Sequence, residues 1–294
     1  MNRKTQRIDI ITNTPASVKI NNEILLNVKN RTKFIALRDV RPIKFFVFNE
    51  SFSKELILDS RNSFPYWFNI YANAGLGMLI DKDSPKRYAF PKRVYVDMTN
   101  SSNSFTLYNP LIRKGSLQLH YSLPWINNFL LKPVSEPGAK FNTGFWGIML
   151  GLDYYNKTNQ FLDLSIGGVM DFFIPFPAAV DLSGEYDTMS SLYLNLSYNY
   201  RIRRYSVGYG ISLSKNTWYH NYSDWGDPPP PVREPVSKSD YSVGFIFPLY
   251  IQAGEYFNIG LLYRPSFLTI KPTIGFKYEH LVSIDFAWKI PLIK

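Results

Sequence analysis

The chain has no cysteine in its 294 residues. That absence excludes a disulfide scaffold, thiolate metal centres, iron–sulfur clusters and a cysteine nucleophile. Histidine is almost as scarce, with only His120, His220 and His280, so a histidine-rich metal centre has too few ligands. Long apolar runs are missing too. A membrane-spanning helix needs about 18–20 consecutive apolar residues. The best stretch, 65–80, is broken by two Asn and two Gly and stops at Asp81-Lys82-Asp83. It reads as a buried or interfacial segment. The basic N-terminus, Met1 to Arg7, leads into no apolar region of the signal-peptide kind, so no signal peptide is read here. The sequence also contains no Gly-rich phosphate loop, no His-Glu-x-x-His and no EF-hand loop.

What is present is aromatic and basic. Aromatics make up 17% of residues, the net charge is +10, and the apolar content of 45% suffices for a large core. Residues 1–100 carry seventeen Lys/Arg against nine Asp/Glu, and the remainder sixteen against fourteen, so +8 of the +10 lies in the first third.

From about Lys114 the chain alternates with period two, the signature of strands. Trp146, Ile148, Leu150, Leu152 and Tyr154 alternate with Gly147, Met149, Gly151 and Asp153. Similar segments are centred on Leu164, Leu194 and Tyr209, and four looser ones lie at 115–123, 240–251, 256–267 and 276–290. The count predicts eight strands. A soluble barrel would put Lys and Glu on its polar face. Here that face is mostly Gly, Ser and Asn, which suits a narrow, filled lumen. The apolar face continues for about nine to eleven residues, the length a tilted strand needs to cross a bilayer.

Aromatics cluster at both ends of that face, as they do at lipid headgroups. One predicted girdle holds Tyr154, Tyr155, Tyr198, Tyr200, Tyr205, Tyr250, Tyr256 and Trp288. The other holds Trp146, Phe172, Phe173, Trp218, Tyr219, Tyr241 and Tyr278. Links alternate between short (156–159, 201–203, 253–255) and long (124–140, 174–187, 216–238), with a shorter one near 270–273. Outer-membrane barrels sort their periplasmic turns and external loops in this way. Both termini are then expected in the periplasm.

The first hundred residues show shorter strands: Arg7–Thr12, Ser17–Asn21, Lys33–Leu37, Ile43–Asn49, Lys54–Asp59 and Arg93–Met98. Breaks about every ten residues predict a β-sandwich. The predicted fold class is therefore all-β: a small N-terminal β-sandwich (1–100), a linker (101–113) and an eight-stranded antiparallel transmembrane β-barrel (114–294).

Pro15-Ala16-Ser17-Val18-Lys19-Ile20-Asn21-Asn22-Glu23 resembles the PEGA-type repeat, a proline followed by a short strand and an Asn-containing hairpin. Trp67 to Asp81 is similar to the segment downstream of such modules in exported Bacteroidetes proteins. Tyr263-Arg264-Pro265 and Ile284-Asp285-Phe286-Ala287-Trp288-Lys289 resemble outer-membrane barrels of that phylum. The resemblance implies an envelope location, protein–protein contacts and a lipoprotein-type leader ahead of Asn2.

Candidate site residues fall in two groups. On the polar parity stand Asp153, Asp163, Asp171, Arg264, Lys277, Glu279, Asp285 and Lys289. They read as a pore or ligand lining or, because eight strands leave room only for side chains, as a paired plug; the plug is favoured. The second group is the loop Trp218, Tyr219, Tyr222 and Trp225, followed by four prolines, 228–231; it reads either as a stiff recognition segment or as a rigid loop with its aromatics folded onto the barrel rim. His120 reads as a lumenal hydrogen-bonder, His280 as an interfacial residue, and His220 as a loop residue near Asp224.

The expected function is a non-enzymatic outer-membrane anchor or accessory subunit that needs no cofactor or metal. Its expected partners are outer-membrane lipid and other envelope proteins. Nucleic acid is not expected, because the basic residues are dispersed and no aromatic stacking platform accompanies them. A lipid-modifying enzyme and a small channel remain the alternatives.

Overall fold

A computed structural model describes the chain except residues 1–2, 22–23, 29–30, 74, 100–102, 107–111, 113, 176–183, 224–233, 255 and 294. The chain divides into two compact units, Met1–Leu111 and Ile112–Lys294.

The first unit contains β1 (Thr5–Thr12), β2 (Ala16–Ile20), β3 (Ile24–Val28), β4 (Arg31–Leu37), β5 (Ile43–Phe48) and β6 (Ser53–Leu58). After β7 (Arg61–Asn62) come two helices, α1 (Phe64–Asn73) and α2 (Leu76–Ile80), and a 3-10 turn at Pro85–Arg87. β8 (Tyr88–Ala89), β9 (Arg93–Val96) and β10 (Phe105–Thr106) complete it. Two four-stranded sheets form, in the orders β10-β9-β1-β4 and β3-β2-β5-β6. Alternate residues of each point at the other: Ile8, Ile10, Val94 and Val96 from one sheet share a buried core with Val18, Ile20, Phe45, Val47, Leu56 and Leu58 from the other. That is a sandwich, with apolar burial as its main stabilisation.

All six predicted short strands are found within two residues of their expected ends. The 65–80 segment differs from one of its two readings. It folds as α1 and α2, and Leu76, Leu79 and Ile80 are exposed rather than buried.

One acid on this sandwich is heavily neutralised. Asp9 accepts hydrogen bonds from Arg31 (2.5 Å) and Arg7 (3.2 Å), with Arg93 at 3.8 Å. Burial alone would raise its carboxyl, but the arginine hydrogen bonds outweigh it and hold the group below its ordinary value of 3.8.

The second unit is a closed barrel of eight strands. They are β11 (Leu117–Leu131), β12 (Lys140–Lys157), β13 (Gln160–Phe172), β14 (Gly184–Ile202), β15 (Tyr205–Ser223), β16 (Val236–Gln252), β17 (Phe257–Lys271) and β18 (Gly275–Ile293). Every neighbouring pair is antiparallel, and β11 closes the barrel on β18. Closure leaves no free edge, so the ladder supplies partners for the backbone polar groups wherever the register is regular. Ile148, Leu150, Leu164, Ile166, Leu194, Leu196, Ile211, Leu213, Phe245 and Leu261 all point outward and are exposed. The alternate residues are buried and mostly polar. No helix among the described residues is long and apolar enough to cross a membrane.

The strands run farther than expected at the long-link end. The predicted links 124–140, 174–187 and 216–238 contract to 132–139, 173–183 and 224–235. Ladder hydrogen bonds do not require apolar side chains, so pairing continues after the apolar band ends, as in Thr217 with Ser190 and Ser239.

Candidate functional site: a filled lumen and its rim

Period two carries the polar set inward on every strand, and the eight predicted charged residues all stand on the lumenal side. They do not form one cluster. At the short-turn end, Lys289 Nζ donates to Asp153 Oδ2 at 2.7 Å, while His120 Nδ1 stands 3.2 Å from Asp163 Oδ2 and 3.8 Å from Asp153 Oδ1. Tyr250 donates to Asp285 at 2.6 Å, and Ser165 to Asp163 at 2.9 Å. Tyr155, Phe161 and Ile112 form an apolar cluster at this end, with the Lys289 ammonium 4.5 Å from the Phe161 ring centroid.

The middle of the lumen is held by Arg264. Its guanidinium lies 3.7 Å from the Tyr193 ring centroid and donates to Ser283 at 2.7 Å. Ser283 in turn donates to Asn127 Oδ1 at 2.7 Å. The Asn127 amide donates to the carbonyls of Pro124 (3.1 Å), Trp146 (3.0 Å) and Met170 (3.4 Å). Those carbonyls lie where the ladder is irregular. Register shifts occur at Pro124/Ile126 and Phe145/Gly147, and Trp146 has φ 88°. One buried amide thus ties together bulges that would otherwise strand carbonyl groups.

Toward the long-link end, Lys277 pairs with Asp240 and, at 2.8 Å, with Glu279. Glu279 also accepts from Asn216 (2.8 Å) and from the Lys132 backbone (2.7 Å). Asp171 accepts from Asn142 (2.5 Å) and from the Met189 backbone (2.7 Å). Sequence reasoning missed Asn127, Tyr193, Asn216 and Asp240; the last three show the same signal, a polar or large residue on the small-residue parity, whereas Asn127 turns inward only because the register shifts between Pro124 and Ile126.

The predicted rim needs several corrections. Tyr155, Tyr250 and Trp218 are not in the outer girdles; all three are buried inside the barrel. Each adjoins an outward neighbour, Tyr154, Leu249 or Tyr219, and adjacent strand residues face opposite ways. Trp218, Tyr219 and Tyr222 lie on β15 rather than in a loop. Trp218 packs inside with Lys140 over its ring at 5.4 Å, while Tyr219 is exposed. Trp225, Asp224 and the prolines 228–231 lie outside the described residues. His220 is also on β15, and its carboxylate partner is Asp187, at 2.7 Å.

Among the described residues, none of the three histidines hydrogen-bonds a serine hydroxyl, the contact that a nucleophile–base–acid array needs. His220 Nδ1 lies 2.7 Å from Asp187 Oδ1, and its Nε2 is 3.7 Å from Glu185 Oε2. His280 contacts the hydroxyl of Tyr278 at 3.1 Å on the outer face. His120, Asp153 and Asp163 bring ligand-type atoms within 4.8 Å of one another. Lys289, already bonded to Asp153, supplies the positive charge that a metal would bring, so the group reads as an ion-pair network.

No family model matches the chain, and no curated protein matches it. Several solved structures are similar in fold. The attachment invasion locus protein Ail of Yersinia pestis aligns at 10% identity over 60% of this chain and 99% of its own, with a TM-score of 0.41. Neisserial surface protein A aligns at 10% identity over 59% and 96%, with a TM-score of 0.35. The N-terminal β-barrel domain of Pseudomonas aeruginosa OprF aligns at 11% identity over 58% and 97%, with a TM-score of 0.26.

Proposed function

We propose that this protein is an outer-membrane anchor without enzymatic activity. The barrel would fix the chain in the bilayer, while the N-terminal sandwich and the external loops bind other envelope proteins. One observation carries the reading: a closed eight-stranded barrel is apolar on the outside and polar and filled on the inside. A soluble barrel has the opposite arrangement. Its continuous outer apolar surface would far exceed the few hundred Å² that soluble monomers usually expose.

Two further features support the reading. Links at one end are short, at 158–159, 203–204 and 253–256, whereas the three longest all lie at the other. That asymmetry suits periplasmic turns and external loops, and it supports a periplasmic N-terminal unit. The paired lumen charges favour an anchor over a channel, since the ion pairs and aromatic cluster fill the interior. The PEGA-type resemblance of residues 15–23 agrees with an exported adaptor module.

The test is fractionation of expressing cells, with unheated and heated samples compared on SDS gels. Recovery in the outer membrane with a heat-modifiable band supports the anchor. Soluble recovery without heat modifiability refutes it. Stable single-channel conductance in planar bilayers would replace the anchor with a pore.

A further inference from the structure

The helical hairpin of the N-terminal unit is not explained by the sandwich or by the barrel. None of its described residues belongs to the sandwich core, which is closed by the strands. Between Arg61 and Asp81 the sequence has no charged residue at all. A turn at Gly75, with φ 86° and its N–H bonded to the Asn69 carbonyl at 2.9 Å, separates the two helices. Phe64 and Trp67 share a face of α1 at spacing i, i+3. Leu76, Leu79 and Ile80 share a face of α2 at i, i+3, i+4. All five are at least half exposed, Leu79 at 72% and Ile80 at 77%.

Water is a poor environment for such a face, and its flanks indicate a better one. The bounding segments carry Arg61, Lys82, Lys86 and Arg87 against Asp81 and Asp83. Arg87 lies 5.8 Å from the Tyr66 ring centroid, beside Trp67. Apolar anchors, a Trp/Tyr pair and excess basic charge form the composition of a headgroup boundary. At 1.5 Å per residue, α1 is about 15 Å long, half a hydrocarbon core, so the hairpin is too short to span. A protein groove would satisfy the apolar side chains but gives no reason for the basic flanks and the aromatic pair.

We propose that the hairpin of residues 64–80 is a second membrane contact. It lies in the surface of an anionic bilayer with Phe64, Trp67, Leu76, Leu79 and Ile80 toward the acyl chains. This site is separate from the barrel and does not depend on the barrel's membrane reading.

Because the chain has no cysteine, one introduced thiol gives a unique label. Full-length L79C, carrying an environment-sensitive fluorophore, is folded with vesicles of phosphatidylcholine and phosphatidylglycerol, with and without nitroxide-bearing lipids. I80C repeats the measurement one position away. I211C on the barrel's outer face and K44C on the exposed sandwich surface are the references. The expected result is that nitroxide lipids remove about half or more of the signal at 79 and 80, as for a group buried in the acyl boundary, and leave 44 unchanged. Omitting phosphatidylglycerol should weaken quenching at 79 and 80 but not at 211.

Quenching of 79 and 80 by aqueous iodide, as at 44, overturns the proposal. So does a label shielded from iodide yet untouched by nitroxide lipids, which would mean a protein or a second copy covers the face. Equal quenching without phosphatidylglycerol overturns the anionic preference. Quenching at 211 but not at 79 refutes the hairpin contact alone; the reverse refutes the barrel reading alone.

Discussion

Lys289 and Asp153 meet inside the barrel from β18 and β12, the two strands that flank β11, with Nζ 2.7 Å from Oδ2 and both side chains buried. Replacing Lys289 with Met leaves a carboxylate buried without its cation. Removing one partner of a buried pair costs about 3–5 kcal/mol, whereas replacing both with apolar residues is often neutral. Lys289→Met should therefore lower the temperature at which the compact gel band converts to the unfolded one. Lys289→Met combined with Asp153→Leu should recover most of that loss. A double variant as weak as the single one would show that the pair is not the coupling unit.

Asn127 is the residue whose chemistry, rather than size, should matter most in the barrel. Its amide faces three carbonyl oxygens at two bulges and across to β13, and its own oxygen accepts from Ser283. Asn127→Asp keeps the shape but turns the donor into an acceptor facing those carbonyls. Leaving buried polar groups unmet costs about 1–3 kcal/mol each. Asn127→Asp should thus destabilise the barrel more than the smaller Asn127→Ala does, measured by urea unfolding in detergent micelles. The opposite order would mean that the amide contributes only volume.

Much of the barrel is legible because period two and residue type say the same thing. Asp153, Asp163, Asp285 and Lys289 could be assigned inward on parity alone, and they stand inward. Parity was available for Tyr155, Tyr250 and Trp218 as well, but aromatic type outweighed it and pointed to a girdle that two adjacent residues cannot share. The role of Asn127 was hidden for another reason: it depends on register shifts near Trp125 and Trp146 that no local pattern announces. Alpha-helix in 64–80 was hidden by Asn and Gly within the apolar run, which obscure a period in either direction.

Gly244 marks a place where two strands come too close for any side chain. A Cβ there would lie 2.0 Å from the Pro265 carbonyl oxygen and 2.5 Å from the Ser266 Cα, both backbone atoms. The β16–β17 register shifts beside it, between Val243 and Gly244. Backbone cannot yield as a side-chain tip can, so even Gly244→Ala must part the ladder. The expected outcome is a large drop in the fraction that folds, read as the heat-modifiable share after refolding into detergent. Folding at the parental yield would mean that the strands separate at this point without cost.

Asp9 gives the N-terminal unit an acid limit of its own. Its carboxyl is held below 3.8 by Arg31 and Arg7 against the opposing effect of burial. A depressed folded value means that the folded state favours the ionised form. The resulting stability is fully present above the unfolded value near 3.8 and drains away as pH falls through the lower folded value. Asp97 adds to the same window, since the Thr99 hydroxyl and backbone N–H, helped by Asn13, hold it below 3.8 as well. Exchange of β1 amides in the full chain, corrected for the intrinsic pH dependence, should stay slow from neutral pH to about pH 4 and accelerate below it. Asp9→Asn should exchange faster at neutral pH, because three arginines lose their anion, and should show a shallower acid limb carried by Asp97. An unchanged acid limb in Asp9→Asn would place the sensitivity elsewhere in the unit.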